Sequence, residues 1–437
     1  MERIINTGKS GPVSRRTFLK LSGAAGITLA VAGLAGCSSG SSDSGSGEGT
    51  SAAQADVDFS NWDAVLEAAR GQEVSWYGWG GDDMRNAWIE GTLAPQLKEK
   101  YDVTLNLVGM DINDILTQLS GEMQANPEAN GTIDFVWING ENFASVKKNG
   151  YVWGPFVDYL PNYNDYVDGT STDITIDFGN PTEGFEAPYG KAQMVFWVDG
   201  ATVKDVPKNP DEFLEFCKAH PGQVSYPEPG DFTGTAFISC LIAGVIGKQK
   251  FEKLASMNDA TKDEVKAIIE PGLAYLRDLA PYLWKEGSTY PADSTTCSQM
   301  YADGELIFNM GYGDPQTDVD QGILPETTKA FVFESGTVGN TNFMAIPANA
   351  PHKAAALVAI NEVISPELQL DQYVQLRQMS VLDMDKLPDD VKAGFDAVEL
   401  GGSEVPLAEK LDVRVAEACG QVIPLIEDLW HEEVAGA

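Results

Sequence analysis

Histidine, positive charge and ordered cysteine spacing are what this sequence has least of. Three histidines (His220, His352, His431) in 437 residues, with no CxxC or HExxH spacing, leave little from which to build a zinc or histidine-based catalytic centre. From Asp56 on no GxSxG elbow occurs and no histidine sits in a Gly-rich loop, so serine and cysteine nucleophiles have no partners in the pattern. No metal and no cofactor are expected. Against 65 Asp plus Glu stand 29 Lys plus Arg, and the formal charge of -36 repels phosphate backbones, which argues against nucleic acid as a partner. Apart from Cys37, the four cysteines (Cys217, Cys240, Cys297, Cys419) show no framework spacing, so disulfides and small buried thiols both stay open. Apolar residues are plentiful: 43% hydrophobic and 9% aromatic supply a sizeable core, in two or three domains at roughly 100–200 residues each.

The first 36 residues carry five basic side chains (Arg3, Lys9, Arg15, Arg16, Lys20) and one acid, Glu2, before a run of small and apolar residues from Leu21 to Gly36. That run is shorter than the roughly 20 residues a permanent spanning helix needs, so 1–36 reads as a cleaved export signal. Ser14 to Lys20 resembles a twin-arginine export motif, and Leu34-Ala35-Gly36-Cys37 resembles a lipobox, whose cysteine becomes lipidated and leads the mature chain. Residues up to 55 are Ser and Gly rich without apolar periodicity, a flexible linker. The expected protein is extracytoplasmic, anchored through Cys37 to the outer face of the cell membrane, with a globular body from Asp56.

Along the body, β-rich runs alternate with helical stripes. Strands are expected over Glu73–Trp79, Val103–Val108, Ile133–Ile138 and Leu306–Met310, with a long run at Tyr189–Val198 and another at Asn340–Ile346. Helices are expected at 61–70, 83–101 with a break near Pro95, 112–123, 211–219, 235–246, 263–279 and 294–303, and in most of the remainder to 437. The βαβα order argues for open sheets covered on both faces. The simplest architecture is two α/β lobes joined by two crossing strands: 56–190 plus 345–437, with carboxy-terminal helices returning to the first lobe, and 191–344 as the second.

In open α/β sheets, ligands bind beyond the carboxyl ends of the strands. The loops expected there carry Trp79 and Asp82 after the first strand, Asn139, Glu141 and Asn142 after IDFVWI, and Tyr312 and Asp314 after LIFNM, which itself holds Asn309. Glycines in these loops permit close approach, and Asn, Asp and Glu supply hydrogen-bond partners, although turns and helix caps use the same residue types. Asp231 or Thr233 caps a helix whose free first-turn amides could meet a ligand. Trp79 and Tyr312 have faces on which a planar or cationic group could stack. Carboxylate pairs such as Asp82 with Asp83, or Glu183 with Glu186, have the residue types for acid and base glycoside chemistry, which keeps a secreted hydrolase as the alternative.

Four segments carry a family resemblance: Trp137-Ile-Asn-Gly-Glu-Asn-Phe143, Glu186-Ala-Pro-Tyr-Gly-Lys-Ala-Gln193, Tyr226-Pro-Glu-Pro-Gly-Asp-Phe-Thr-Gly234 and Gly339-Asn-Thr-Asn-Phe-Met-Ala-Ile-Pro347. They resemble the YnjB-type ABC transporter substrate-binding proteins, similar in turn to the wider type II extracellular solute-binding family. The likeness runs from about residue 72 to about 430. It implies a two-lobed periplasmic-binding-protein-like clamp that closes on a solute and hands it to ABC permease subunits, acting as a monomer and not as an enzyme. Polyamine-binding relatives place an aromatic residue and an Asp just before the Ile-Pro. Here the corresponding positions look like Asn340 and Asn342, which removes the carboxylate that a buried ammonium requires. Tyr189 and Lys191 fall within the second segment. Lys191 set against Asp82, Glu141, Asp231 and Asp314 favours a small polar solute that is cationic or zwitterionic.

Overall fold

Every apolar run singled out above becomes a strand. Glu73–Gly78 (β1), Thr104–Gly109 (β2) and Phe135–Ile138 (β3) run parallel, with β1 between the other two. Glu186–Asp199 (β4), Phe308–Tyr312 (β5), Thr328–Phe331 (β6), Thr337–Pro347 (β7) and Arg414–Ala416 (β8) continue the sheet in the order β2-β1-β3-β7-β4-β5. Two short strands, β8 and Val152–Trp153, lie on β7, and β6 lies on β4. The computed structural model describes residues 57–435. The export signal, Cys37 and the linker lie outside the described residues, as does the side chain of Glu141.

Two cores form on either side of the long strands. In the first, alternation sends Val74, Trp76 and Phe135 to one face of the sheet, against the helix Lys353–Val363, and Tyr77, Val136 and Ile138 to the other, against Ile115, Leu119 and Phe143. In the second, Phe196 of β4 meets Phe237, Phe308, Phe331 and Phe333, with ring centroids 4.7–5.9 Å apart, while the next residue, Trp197, packs on the opposite face. The helix Phe232–Ile246 is apolar all round and runs through this second core. Cys217, Cys240, Cys297 and Cys419 are all free and buried, and Cys240 accepts a hydrogen bond from the Val338 amide at 3.3 Å.

β4 and β7 are the crossing strands. Their antiparallel ladder runs from Gly339 opposite Gln193 to Ala345 opposite Glu186. Beyond Gln193, β4 leaves β7 and pairs instead with β5 and β6. This is the two-lobed α/β clamp that the element order predicts.

Three local differences have clear causes. The break near Pro95 is a π turn, Ile89–Leu93, which brings Pro95 into the first turn of Ala94–Tyr101, where its missing N–H costs nothing. The segment after β3 is already helix, Gly140–Lys148. The carboxy-terminal helices do not all return to the first lobe as expected. Residues Ala354 to Phe395 pack in the first core, but Val415 to Val434 pack in the second, where the Trp430 indole donates to the Tyr226 hydroxyl at 3.1 Å.

Candidate functional site

The crossing strands set a row of polar side chains between aromatic ones. Asn340 and Asn342 alternate to one face of β7, opposite Ala192 and Gly190 of β4. Met194, on the same face of β4, pairs with Tyr312 of β5. A bulge between Asn342 and Phe343 re-aims Asn342, whose Oδ1 accepts from the Trp137 indole N–H at 3.2 Å. At the other end, the Asn340 amide and the Tyr312 hydroxyl both donate to Glu417 Oε1, the amide at 3.5 Å. Tyr312 is stacked on Phe232, with centroids 4.9 Å apart and planes at 23°. The β4 levels facing Asn342 and Tyr312 are Gly190 and Met194, so at ~3.3 Å per residue the two aromatic ends lie ~13 Å apart, the length of a small elongated molecule.

Each end opens onto a hollow of different character. The first is lined by Trp76, Trp79, Arg85, Leu107, Trp137 and Tyr189. Trp79 is 57% exposed there, whereas Tyr189 is buried edge-on to Trp76 with the Arg85 guanidinium 5.9 Å from its ring. Asp82 caps the helix Asp83–Trp88 through the Arg85 amide and holds the Arg85 side chain at 3.2 Å. The second hollow, about 40 Å³, lies beside Asn340 and is lined by charges: Asp173, Asp177, Arg414 and Glu417, with Thr341. Asp173 bridges Arg414 (3.1 Å) and Lys191 (3.6 Å). Burial pushes its carboxyl up, but these two cations outweigh that and hold it below the ordinary range. Burial raises Glu417, and pushes Asp177 up to about 8 against the pull of the Gly140 amide, which donates to Asp177 Oδ2.

The remaining candidates are placed as follows. Asn139 precedes the helix Gly140–Lys148 without capping it, because the Asp177 carboxylate takes that role. Asn142 is half-buried in the first turn of that helix, one residue beyond Glu141. Asp231, not Thr233, caps Phe232–Ile246 by accepting from the Gly234 amide. Asn309 is fully buried, its amide donating to Ser298 at 3.0 Å. Asp314, expected to line the cleft, is instead sealed in an ion pair with Lys410 and accepts from the Val405 amide at 2.9 Å. Lys191 is a strand residue whose side chain is spent on Asp173, and burial holds its pKa below the usual lysine value. Of the carboxylate pairs, Glu183 is exposed on Lys147 while Glu186 is buried, and Asp82 is engaged as a cap, so neither pair presents two free carboxylates.

Sequence reasoning missed Trp137, Asp173, Asp177, Arg414 and Glu417 as site residues. Trp137 stood inside the strand reading, and the other four lie in segments with no strand-loop pattern to flag them.

A family model for bacterial extracellular solute-binding proteins matches residues 92–393. The chain belongs to that family. YnjB of Escherichia coli strain K12 is 36% identical over 335 residues, which cover 76% of this chain and 84% of YnjB. Among solved structures, the spermidine/putrescine ABC transporter substrate-binding protein PotD from Streptococcus pneumoniae aligns with a TM-score of 0.57 at 13% identity, over 83% of this chain and 98% of PotD. An ABC transporter structure from Clostridium perfringens aligns at 0.56 with 16% identity, over 83% and 99%. These two likenesses carry the fold. As an extracellular solute-binding protein of the ABC transporter type, the chain works outside the cytoplasm.

Proposed function

We propose that the protein is the lipid-anchored receptor of an ABC importer, holding a small polar solute, cationic or zwitterionic, between its lobes and passing it to permease subunits. Membrane attachment would be through Cys37, and the working unit a monomer. The observation that carries this reading is the continuous strip Trp137–Asn342–Asn340–Glu417–Tyr312, which offers amides and a carboxylate on the floor and rings at both ends. Such a strip orients a polar molecule without any group that would transform it. Contacts from both lobes would favour the closed state, and differential affinity for that state is what drives closure. Native mass spectrometry of protein purified from its own cells tests it. A co-purifying small mass, returned unaltered on denaturation, is expected. Protein that arrives empty and shows no thermal shift with any polar solute would end the reading.

A further inference from the structure

The charged hollow beside Asn340 contains polar atoms that the fold does not use. Asp177 Oδ1 and Thr341 Oγ1 have no hydrogen-bond partner, although the residues are 1% and 5% exposed, and both line the hollow. Glu417 lines it too, with Oε1 taken by Tyr312 and Asn340. Leaving buried acceptors unpaired is costly, more so for charged groups, so two of them beside the Glu417 carboxylate in one small space call for an occupant that donates. Arg414 also reaches this space: its Nη1 donates to the Ala192 carbonyl at 2.9 Å, and its Nε lies 3.1 Å from Asp173 as an ion pair without an aligned hydrogen bond.

The three acceptors come from different parts of the chain. Asp177 sits in a hairpin, Ile176–Asp177 paired with Asn180–Pro181, whose tip docks on the second lobe: the Gly420 amide donates to Phe178 and the Asn258 amide to Gly179, both at 3.0 Å. Gly179 has φ +86° and no space for a side chain, since a Cβ would fall 2.2 Å from that of Cys419. Thr341 lies on β7, and Glu417 follows β8. The hollow is thus framed by the hairpin, the crossing strand and the carboxy-terminal segment. Its volume of about 40 Å³ exceeds the ~10–15 Å³ that one water requires, so it has room for an ammonium head. An ammonium has three N–H donors and no acceptor, which suits two unpaired acceptors and a neighbouring carboxylate.

We propose that this hollow is a cation subsite, taking a primary ammonium group of the solute with Asp177 Oδ1, Thr341 Oγ1 and Glu417 as its acceptors. The inference rests on the carrier reading and narrows its solute class. It also explains how a cation is held although Asn340 and Asn342 offer no carboxylate: the negative charge comes from outside that motif. Asp173 answers only one of Lys191 and Arg414, which leaves Glu417 to answer the other and Asp177, protonated in the unliganded protein, to ionise as a cation enters.

The test uses the whole protein and two salts at equal ionic strength, methylammonium chloride and tetramethylammonium chloride, with thermal unfolding followed by tryptophan fluorescence. Methylammonium should raise Tm saturably, and tetramethylammonium, which has no N–H and is too large, should not. Asp177→Asn, Glu417→Gln and the near-isosteric Thr341→Val should each raise the methylammonium midpoint at least tenfold. Equal shifts from the two salts, or unchanged midpoints in both Glu417→Gln and Thr341→Val, would overturn the subsite and leave a buried water as the occupant. A co-purifying solute without an amino group would also overturn it while the carrier reading stands, so the two ideas fail separately.

Discussion

Asp314 and Asp177 are both carboxylates sealed from solvent near the crossing strands, and they differ in how far their surroundings satisfy them. Asp314 has one oxygen on the Lys410 ammonium, itself buried, and the other on a backbone amide. Asp177 has one oxygen on the Gly140 amide and nothing on the other. A carboxylate whose capacity is filled by the fold is part of the scaffold; one left half-filled beside a hollow is open to an incoming group. Exposure does not distinguish the two, and neither does residue type. Only the inventory of partners does.

The largest effect expected from breaking this contrast is at the filled site. Asp314→Ala leaves the Lys410 charge buried and uncompensated, and should cost about 3–5 kcal/mol in urea unfolding with solute affinity unchanged in the folded fraction. A loss of affinity at full stability would move Asp314 back into the cleft. The half-filled site should respond in the opposite direction. Because the folded-state pKa of Asp177 is raised to about 8, the stability associated with it is present below pH 4 and lost as pH rises toward 8. Asp177→Asn should therefore stabilise the unliganded protein by a few kcal/mol at about pH 8 and by little at pH 4. A flat difference between the two proteins across that range would remove the buried, unpaired character assigned here.

Smaller effects sharpen the comparison between the two ends of the strip. Trp137→Ala deletes a ring and the donor to Asn342, and should weaken solute binding about tenfold or more, as titrated by fluorescence. Trp79→Ala, at a position already 57% exposed, should leave Tm unchanged and weaken binding by less. Equal losses at both tryptophans would mean that the solute lies over the mouth of the first hollow rather than along the floor.

Most of the fold was legible because it rests on local rules. The runs at Glu73, Phe135, Tyr189 and Asn340 are apolar enough, and bounded clearly enough, to fix strands, and Asp231 announces its helix as a cap should. The short strands Thr328–Phe331 and Arg414–Ala416 were not legible, because a few residues of mixed polarity carry no periodic signal and gain their structure from β4 and β7. The site was legible on its floor, at Asn340, Asn342 and Tyr312, and illegible on its charged side. Asp177 and Glu417 are separated from Thr341 by 164 and 76 residues of chain, and nothing near either in sequence indicates that they meet. Asp314 misled for the same reason in reverse: its loop looked right, and its partner Lys410 was 96 residues away.

The position of Trp430 bears on how such a chain is made. The second core closes around this residue, which packs against Tyr226 and Tyr290, yet it lies 204 residues beyond Tyr226 along the chain. During synthesis, Phe237, Leu241 and their neighbours must wait, with part of their apolar surface uncovered, until Trp430 has left the ribosome. Early termination just before the helix Ile423–Trp430 would spare the first lobe and leave the second without its closing wedge, a species prone to chaperone capture or proteolysis before it reaches the envelope.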